Sequence, residues 1–330
     1  MSKISSRAIN VAKLLLAAAL ISWMIGSGKL NLAQVAGAAT HWPELLLMAA
    51  IVFGQLALTA WRWNVLLEAQ GVRLTLREAF SLTMIGVLFN VVIPSSVGGD
   101  VIKGYYISRR TGDRTPHALA TIFMDRIIGL LGLVVLAAGA ALATFGIIRG
   151  NRPLELLCLF AIAAAVCGVV GLAAVVVAGG RIPALERRRE HRIFGLIAQA
   201  AGTLADYRRS PGVLAITMAS SILNHALACV VFYLSARALD APPIAFGYFM
   251  LVVPLGMMTT AVPLSPAGVG VGQAAFFTLF QLVPGASAAL GASIFTVFQC
   301  VQILVYLTGF YFYLSYKHAA AIDVPVRTAT

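Results

Sequence analysis

Charge is what this sequence has least of. Asp, Glu, Lys and Arg make up 11% of its 330 residues and hydrophobic residues 60%, whereas a soluble domain carries about 25% charged residues. No stretch longer than about 30 residues is polar enough to fold around a core of its own, so the sequence predicts a single transmembrane domain over residues 1–330 and no appended catalytic domain. The GxxxxGK loop that cradles nucleotide phosphates is missing, and Gly26-Ser27-Gly28-Lys29 lacks its spacing; ATP is not an expected ligand. The GxSxG elbow of serine hydrolases is missing as well. The four cysteines, Cys158, Cys167, Cys229 and Cys300, form no CxxC pair and fall in apolar stretches, which predicts buried packing residues. The five histidines are scattered and none belongs to an HExxH motif, so no structural metal and no cofactor is expected.

What is present is apolar sequence with basic edges. The 24 Lys and Arg exceed the 12 Asp and Glu, giving a net charge of +12. In a soluble protein that balance would suggest a nucleic-acid partner. Here the charges sit between apolar runs, where they set orientation and attract anionic lipid, so no nucleic acid is expected. Lys3, Arg7 and Lys13 open a run over 11–25 that has the charge and length of a signal peptide and is read as an uncleaved first span. Trp42 begins the next run, and Trp61 and Trp63 close it, as expected of aromatics at membrane interfaces.

Further full spans are predicted over 117–148, 154–179, 211–239 and 288–316. The loop 181–210 carries Arg181, Arg187, Arg188, Arg189, Arg192, Arg208 and Arg209 and is read as cytoplasmic. With both termini on that side, all basic residues except Lys29, Arg149, Arg152 and Arg237 are cytoplasmic or at that edge. Two apolar segments do not fit as simple spans. Residues 79–108 are basic at both flanks and are interrupted by Pro94-Ser95-Ser96-Val97-Gly98-Gly99-Asp100. Residues 244–284 are interrupted by Pro263-Leu264-Ser265-Pro266-Ala267-Gly268-Val269-Gly270. Proline, serine two residues on and glycine five residues on coincide in the two turns. In lipid such turns would leave backbone groups unpaired at several kcal/mol each, so they must line a cavity or be wrapped by protein. Two broken segments entering from opposite faces point to inverted repeats, residues 1–148 and 211–318, with a site near the midplane. The fold expected is all-α and polytopic, with about six full spans and two re-entrant broken helices.

The run Asn90-x3-Pro94-x3-Gly98-Gly99-Asp100-x2-Lys103-x-Tyr105 is followed by Asp125-Arg126-x2-Gly129-Leu130 and then by Pro263-x-Ser265-Pro266-x-Gly268-x-Gly270-Val271. Together these resemble the flippase-like family typified by the transmembrane region of lysylphosphatidylglycerol synthases. The resemblance covers about residues 10–318. It implies a stand-alone lipid flippase or scramblase in a bacterial or archaeal cytoplasmic membrane. Its partners would be anionic or phosphate-bearing lipids, with a lipid-biosynthetic enzyme as a candidate companion. Lys103 stands where that family usually has arginine, and Gln273 where it usually has glutamate.

The expected head-group path comprises Asn90, Pro94, Ser96, Gly98, Gly99, Asp100, Lys103, Asp125, Arg126, Asn224, His225, Pro263, Ser265, Gly268, Gly270, Gln273 and Gln299. Several of these have a second reading. Asp125 and Arg126 point about 100° apart on a helix, so each needs another partner, with Lys103 and Asp100 the natural ones. They serve either a lipid phosphate or an ion pair locking the helix to the turn. Asn224, His225 and the Gln299, Gln302, Tyr306 stripe either bond a neighbouring helix or wall a polar groove. The glycines of both turns, with Gly272, leave room for a head group or for close helix packing. Small-solute transport and an intramembrane transferase using Asp100 or Asp125 as base are the alternatives to lipid translocation.

Overall fold

The computed structural model describes residues 3–92, 98–177, 202, 206–261, 265 and 268–322. It is an all-α polytopic membrane protein with no strand among the described residues. The helices are α1 Lys3–Gly26, α2 Leu32–Gly37, α3 Trp42–Ala69, α4 Leu76–Val92, α5 Gly98–Thr111 and α6 Thr115–Ile148, then α7 Arg152–Val177, α8 Pro211–Ala238, α9 Phe246–Ala261, α10 Val271–Phe280, α11 Ala288–Leu307 and α12 Gly309–Ile322. Among the described residues five stretches are long and apolar enough to cross a membrane: α3, α5 joined to α6, α7, α8, and α11 joined to α12. Among the described residues α1 contributes the apolar stretch Ala17–Gly26.

Helix boundaries follow local chemistry. Thr75 and Glu78 form a capping box at the start of α4: the Thr75 N–H donates to Glu78 Oε2 (2.9 Å) and the Glu78 N–H to Thr75 Oγ1 (3.3 Å). Prolines open α3, α6 and α8, where their missing N–H costs nothing. The Ser287 hydroxyl accepts from the Leu290 N–H at the start of α11.

The two longest-packed partners, α3 and α8, have 28 residues each and end in the same way. In α3 the Val72 N–H reaches the Leu67 carbonyl and the Gly71 N–H that of Glu68, with Gly71 at φ +69°. In α8 the Ala241 N–H reaches Ala236 and the Asp240 N–H reaches Arg237, with Asp240 at φ +49°. Both ends are Schellman motifs. The helices run antiparallel, since His41 and Glu44 near the start of α3 pair with Asp240 and Arg237 at the end of α8, while the Tyr207 hydroxyl donates to the Leu66 carbonyl at the other end.

Around this pair the helix contacts are unchanged by exchanging α3 with α8, α4 with α9, α5 with α10, and α6 with α11–α12. Each of α4–α5, α5–α6, α3–α6, α3–α11 and α4–α12 has its counterpart in α9–α10, α10–α11, α8–α11, α8–α6 and α9–α6. The two halves differ in filling. Stacked phenylalanines Phe232, Phe276 and Phe295 fill the second (centroids 4.8 and 5.1 Å apart), whereas the corresponding region of the first holds charge.

Trp63 is fully buried in the bundle, about 10 Å before the end of α3. One expectation is corrected. Cys158 and Cys229 are buried, but Cys167 and Cys300 are exposed on the outer surface of an apolar bundle, where a thiol needs no core to be tolerated.

A Cβ on Gly99 would overlap the Gly86 carbonyl oxygen, so α4 and α5 meet backbone to backbone. Gly99→Ala is expected to lower stability by about 1–3 kcal/mol through overpacking, read as a fall in the unfolding temperature of detergent-solubilised protein.

Candidate functional site

A chamber of about 300 Å³ lies among α3, α4, α5 and α6, walled by Thr59, Arg62, Thr83, Asn90, Gly99, Asp100, Lys103, Asp125, Arg126 and Gly129. The α4–α5 hairpin builds its floor. Asn90, near the end of α4, accepts through Oδ1 from the Gly99 N–H (2.8 Å), satisfying one of the free donors at the α5 N-terminus. That N-terminus, carrying the positive end of the helix dipole, opens onto the chamber.

The charges are arranged in two pairs and one remainder. Arg62 Nε donates to Asp125 Oδ1 at 2.7 Å, with side chains only 7% and 13% exposed. Arg126 Nε donates to Asp100 Oδ2, with side chains 39% and 23% exposed. Lys103 is buried, with Nζ 4.2 Å from the Trp63 ring centroid, a cation–π arrangement. Trp63 is itself fixed by donating Nε1–H to Thr121 Oγ1 (3.1 Å). Asp125 and Asp100 attract the ammonium, Arg62 and Arg126 repel it, and among the described residues no carboxylate oxygen lies within 4.0 Å of it. Among the described residues of the chamber three cations therefore face two carboxylates, and the carboxylates are taken by the arginines.

The structure brings Asn90, Gly99, Asp100, Lys103, Asp125 and Arg126 together in this chamber. Asp125 takes Arg62 rather than Lys103 as its partner, and Arg126 takes Asp100. Gly98 is buried at the start of α5. Pro94, Ser96 and Pro263 lie outside the described residues, as does most of the basic loop 181–210.

The remaining predicted residues are elsewhere. His225 Nε2 pairs with the Gly129 carbonyl (2.9 Å) and the Ser221 hydroxyl donates to Ile128 (3.1 Å), so both tie α8 to α6 just behind the chamber wall. The Asn224 backbone carbonyl, not its side chain, accepts from Gln55 Nε2 (2.7 Å), joining α8 to α3. Gln273 accepts from the Gly270 N–H (2.7 Å) and donates to Gln299 Oε1 (2.9 Å), capping α10 and bonding it to α11. Ser265 is buried. Gly268, at φ +75°, faces Thr260, and Gly270, at φ +81°, faces Leu20 of α1. These glycines serve close packing at positive φ, where a side chain is strained.

Since both ends of the Gln273 amide are engaged and buried, Gln273→Leu is expected to cost about 1–3 kcal/mol through the donor and acceptor it orphans. Thermal unfolding would show the loss, and the per-molecule rate at the distant chamber should not change.

Arg62, Trp63, Thr59 and Thr83 were not among the predicted residues. Arg62 reads as an interfacial cation between two tryptophans. The signal that places it inside is the apolar run Val65, Leu66, Leu67 beyond it, with helix-ending Gly71 at its close.

The transmembrane region of lysylphosphatidylglycerol synthases matches residues 10–309, nearly the whole chain. The chain belongs to this family. Neither a curated protein nor a solved structure matches it. Membership of this transmembrane-region family associates the protein with membrane lipids.

Proposed function

We propose that this protein moves a lipid with an anionic head group between the leaflets of a bacterial or archaeal cytoplasmic membrane, as a flippase or scramblase, without chemistry on the lipid. The observation that carries the reading is the Lys103 ammonium over Trp63, which among the described residues has no carboxylate oxygen within 4.0 Å, in a chamber where Arg62 and Arg126 each hold a carboxylate. A head group crossing a membrane must exchange its hydration for protein dipoles and charges. Lys103, the α5 N-terminus and Arg126 supply positive charge at one point, and one monoanionic phosphodiester neutralises the excess of one. That chemistry is shared by phosphatidylglycerol-like lipids and polyprenyl-phosphate-linked lipids.

The exchange symmetry of the helix contacts supports treating the halves as inverted repeats, with α4–α5 entering from one face and α9–α10 from the other. Basic residues Arg73, Arg77, Arg109, Arg110 and Arg114 flank the α4–α5 hairpin, which supports a cytoplasmic assignment for that end and for both termini. With no nucleotide-binding motif in the sequence, movement is passive or coupled to an ion gradient.

A transferase reading has one observation in its favour, the convergence of Asp100 and Asp125 on one chamber. Each carboxylate is held by an arginine, so neither stands free as a base, and translocation is the better reading. Reconstitution into vesicles with head-group-labelled phosphatidylglycerol tests it. An impermeant quencher should reach well beyond the outer-leaflet half of the label when protein is present and only that half in empty vesicles. Protection of the inner half with protein present, together with passage of a small water-soluble anion, would overturn lipid translocation in favour of solute transport.

A further inference from the structure

A second cleft, of about 720 Å³, lies between α5 and α6 on the outside of the bundle. Its walls are apolar: Val101, Tyr105, Leu119 and Phe123 present 65%, 49%, 43% and 49% of their surface. Gly104 forms part of its floor, where a Cβ would press on Leu119. Exposed apolar surface is ordinary on a membrane protein. What is not ordinary is that this cleft and the charged chamber share two residues, Asp100 and Arg126. The polar and apolar spaces are therefore neighbours separated by one ion pair.

The α5–α6 hairpin is fastened at its tip, where the Thr111 and Thr115 hydroxyls lie 2.9 Å apart and Thr115 Oγ1 donates to the Ser108 carbonyl (3.3 Å). Toward the chamber the two helices are bridged by the Arg126–Asp100 pair. That pair is far more exposed than the Arg62–Asp125 pair deeper in the chamber. A phosphate can replace Asp100 at the Arg126 guanidinium and keep that cation paired, leaving Asp100 to the neighbouring Lys103 ammonium, whereas replacing Asp125 at Arg62 would require breaking a buried pair.

We propose that the α5–α6 cleft holds the hydrocarbon part of the lipid while its head group occupies the chamber, and that the Arg126–Asp100 pair is the gate between them. The proposal rests on the chamber being a lipid head-group site. A lipid is the occupant that fits both sides of the gate, because it brings an anion to Arg126 and apolar chains to Val101, Leu119 and Phe123. A transmembrane helix from a second copy would cover the pair while offering it nothing.

Photo-crosslinking of the full chain in vesicles tests this, with phosphatidylglycerol carrying a diazirine on its acyl chain and adducts mapped by mass spectrometry. Adducts should concentrate on Val101, Tyr105, Leu119 and Phe123, at least fivefold over the exposed α7 residues Leu156, Leu159 and Phe160, and Lys103→Met should remove that excess. Labelling no greater than on α7, or undiminished in Lys103→Met, would make the cleft ordinary lipid-facing surface and overturn the proposal. Disulfide cross-linking of a Phe123→Cys variant to a second copy at high yield would also overturn it. As an independent variant, Leu119→Trp fills the cleft from an exposed position. It should slow transfer at least fivefold and leave binding of water-soluble glycerophosphoglycerol to the chamber unchanged. Unchanged transfer with that binding intact defeats the slot alone, whereas absence of that binding in the unsubstituted protein defeats the head-group site itself.

Discussion

Replacing Lys103 by methionine is expected to slow head-group transfer at least tenfold and to leave the unfolding temperature unchanged or raised. The two effects have one cause. An ammonium buried over Trp63, with no carboxylate oxygen within 4.0 Å among the described residues, is desolvated at a cost that the cation–π contact offsets by only about 2 kcal/mol. Methionine matches the lysine stem in length, removes that cost and still fills the space beside the indole. A residue kept for stability would behave in the opposite way. Lys103→Arg should retain transfer, since it preserves the charge and adds the fork that suits phosphate. Quencher assays on reconstituted vesicles and unfolding in detergent give the two readouts.

Replacing Arg62 by methionine is expected to be the most damaging single substitution at the site, with a loss of about 3–5 kcal/mol. Arg62 and Asp125 are both largely buried and directly bonded, and Asp125 lies about 15 Å from the start of α6, so removing the cation leaves a largely buried carboxylate without its directly bonded partner. At the marginal stability usual for proteins, such a loss shows as a collapse in the yield of monodisperse protein. The double substitution Arg62→Met with Asp125→Leu should recover most of that yield, because the uncompensated charge is gone. It should not recover transfer, since the chamber would then lack part of its field. Recovery of both would make the pair structural and no part of the site.

Much of this arrangement is readable in the sequence. The two interrupted segments, the capping box at Thr75, the prolines that open α3, α6 and α8, and the depth of Asp125 and Arg126 all follow from residue type and spacing. Asp125 and Arg126, adjacent on α6 and so pointing about 100° apart, each pair across helices. What was not legible is which helix supplies the partner. Arg62 lies 63 residues from Asp125 in the chain and its local context, Trp61-Arg62-Trp63, is that of a membrane interface. Only the packing of α3 against α6 turns that interface signature inward.

The second half is harder to read for a related reason. Matching turns suggest matching roles, yet Gln273 spends its amide on Gln299 and on the Gly270 cap. A hydrogen-bonding side chain in an apolar helix announces that it needs a partner; whether that partner is a ligand or a neighbouring helix depends on the distance between α10 and α11, which the sequence does not encode locally. The glycines divide in the same way, Gly272 being filled by the Phe295 ring while Gly99 serves both the α4–α5 contact and the chamber wall.

Among the described residues of the chamber, Lys103 is the cation with no carboxylate oxygen within 4.0 Å, and its proposed role is to select one anionic head group. The most direct test is the ratio of transfer rates for labelled phosphatidylglycerol and labelled phosphatidylcholine in vesicles holding either the unsubstituted protein or Lys103→Met. The account predicts a clear preference for the anionic lipid in the first case, about tenfold or more, and a ratio near one in the second. Equal transfer of both lipids by the unsubstituted protein, or a preference that survives loss of the lysine charge, would contradict it.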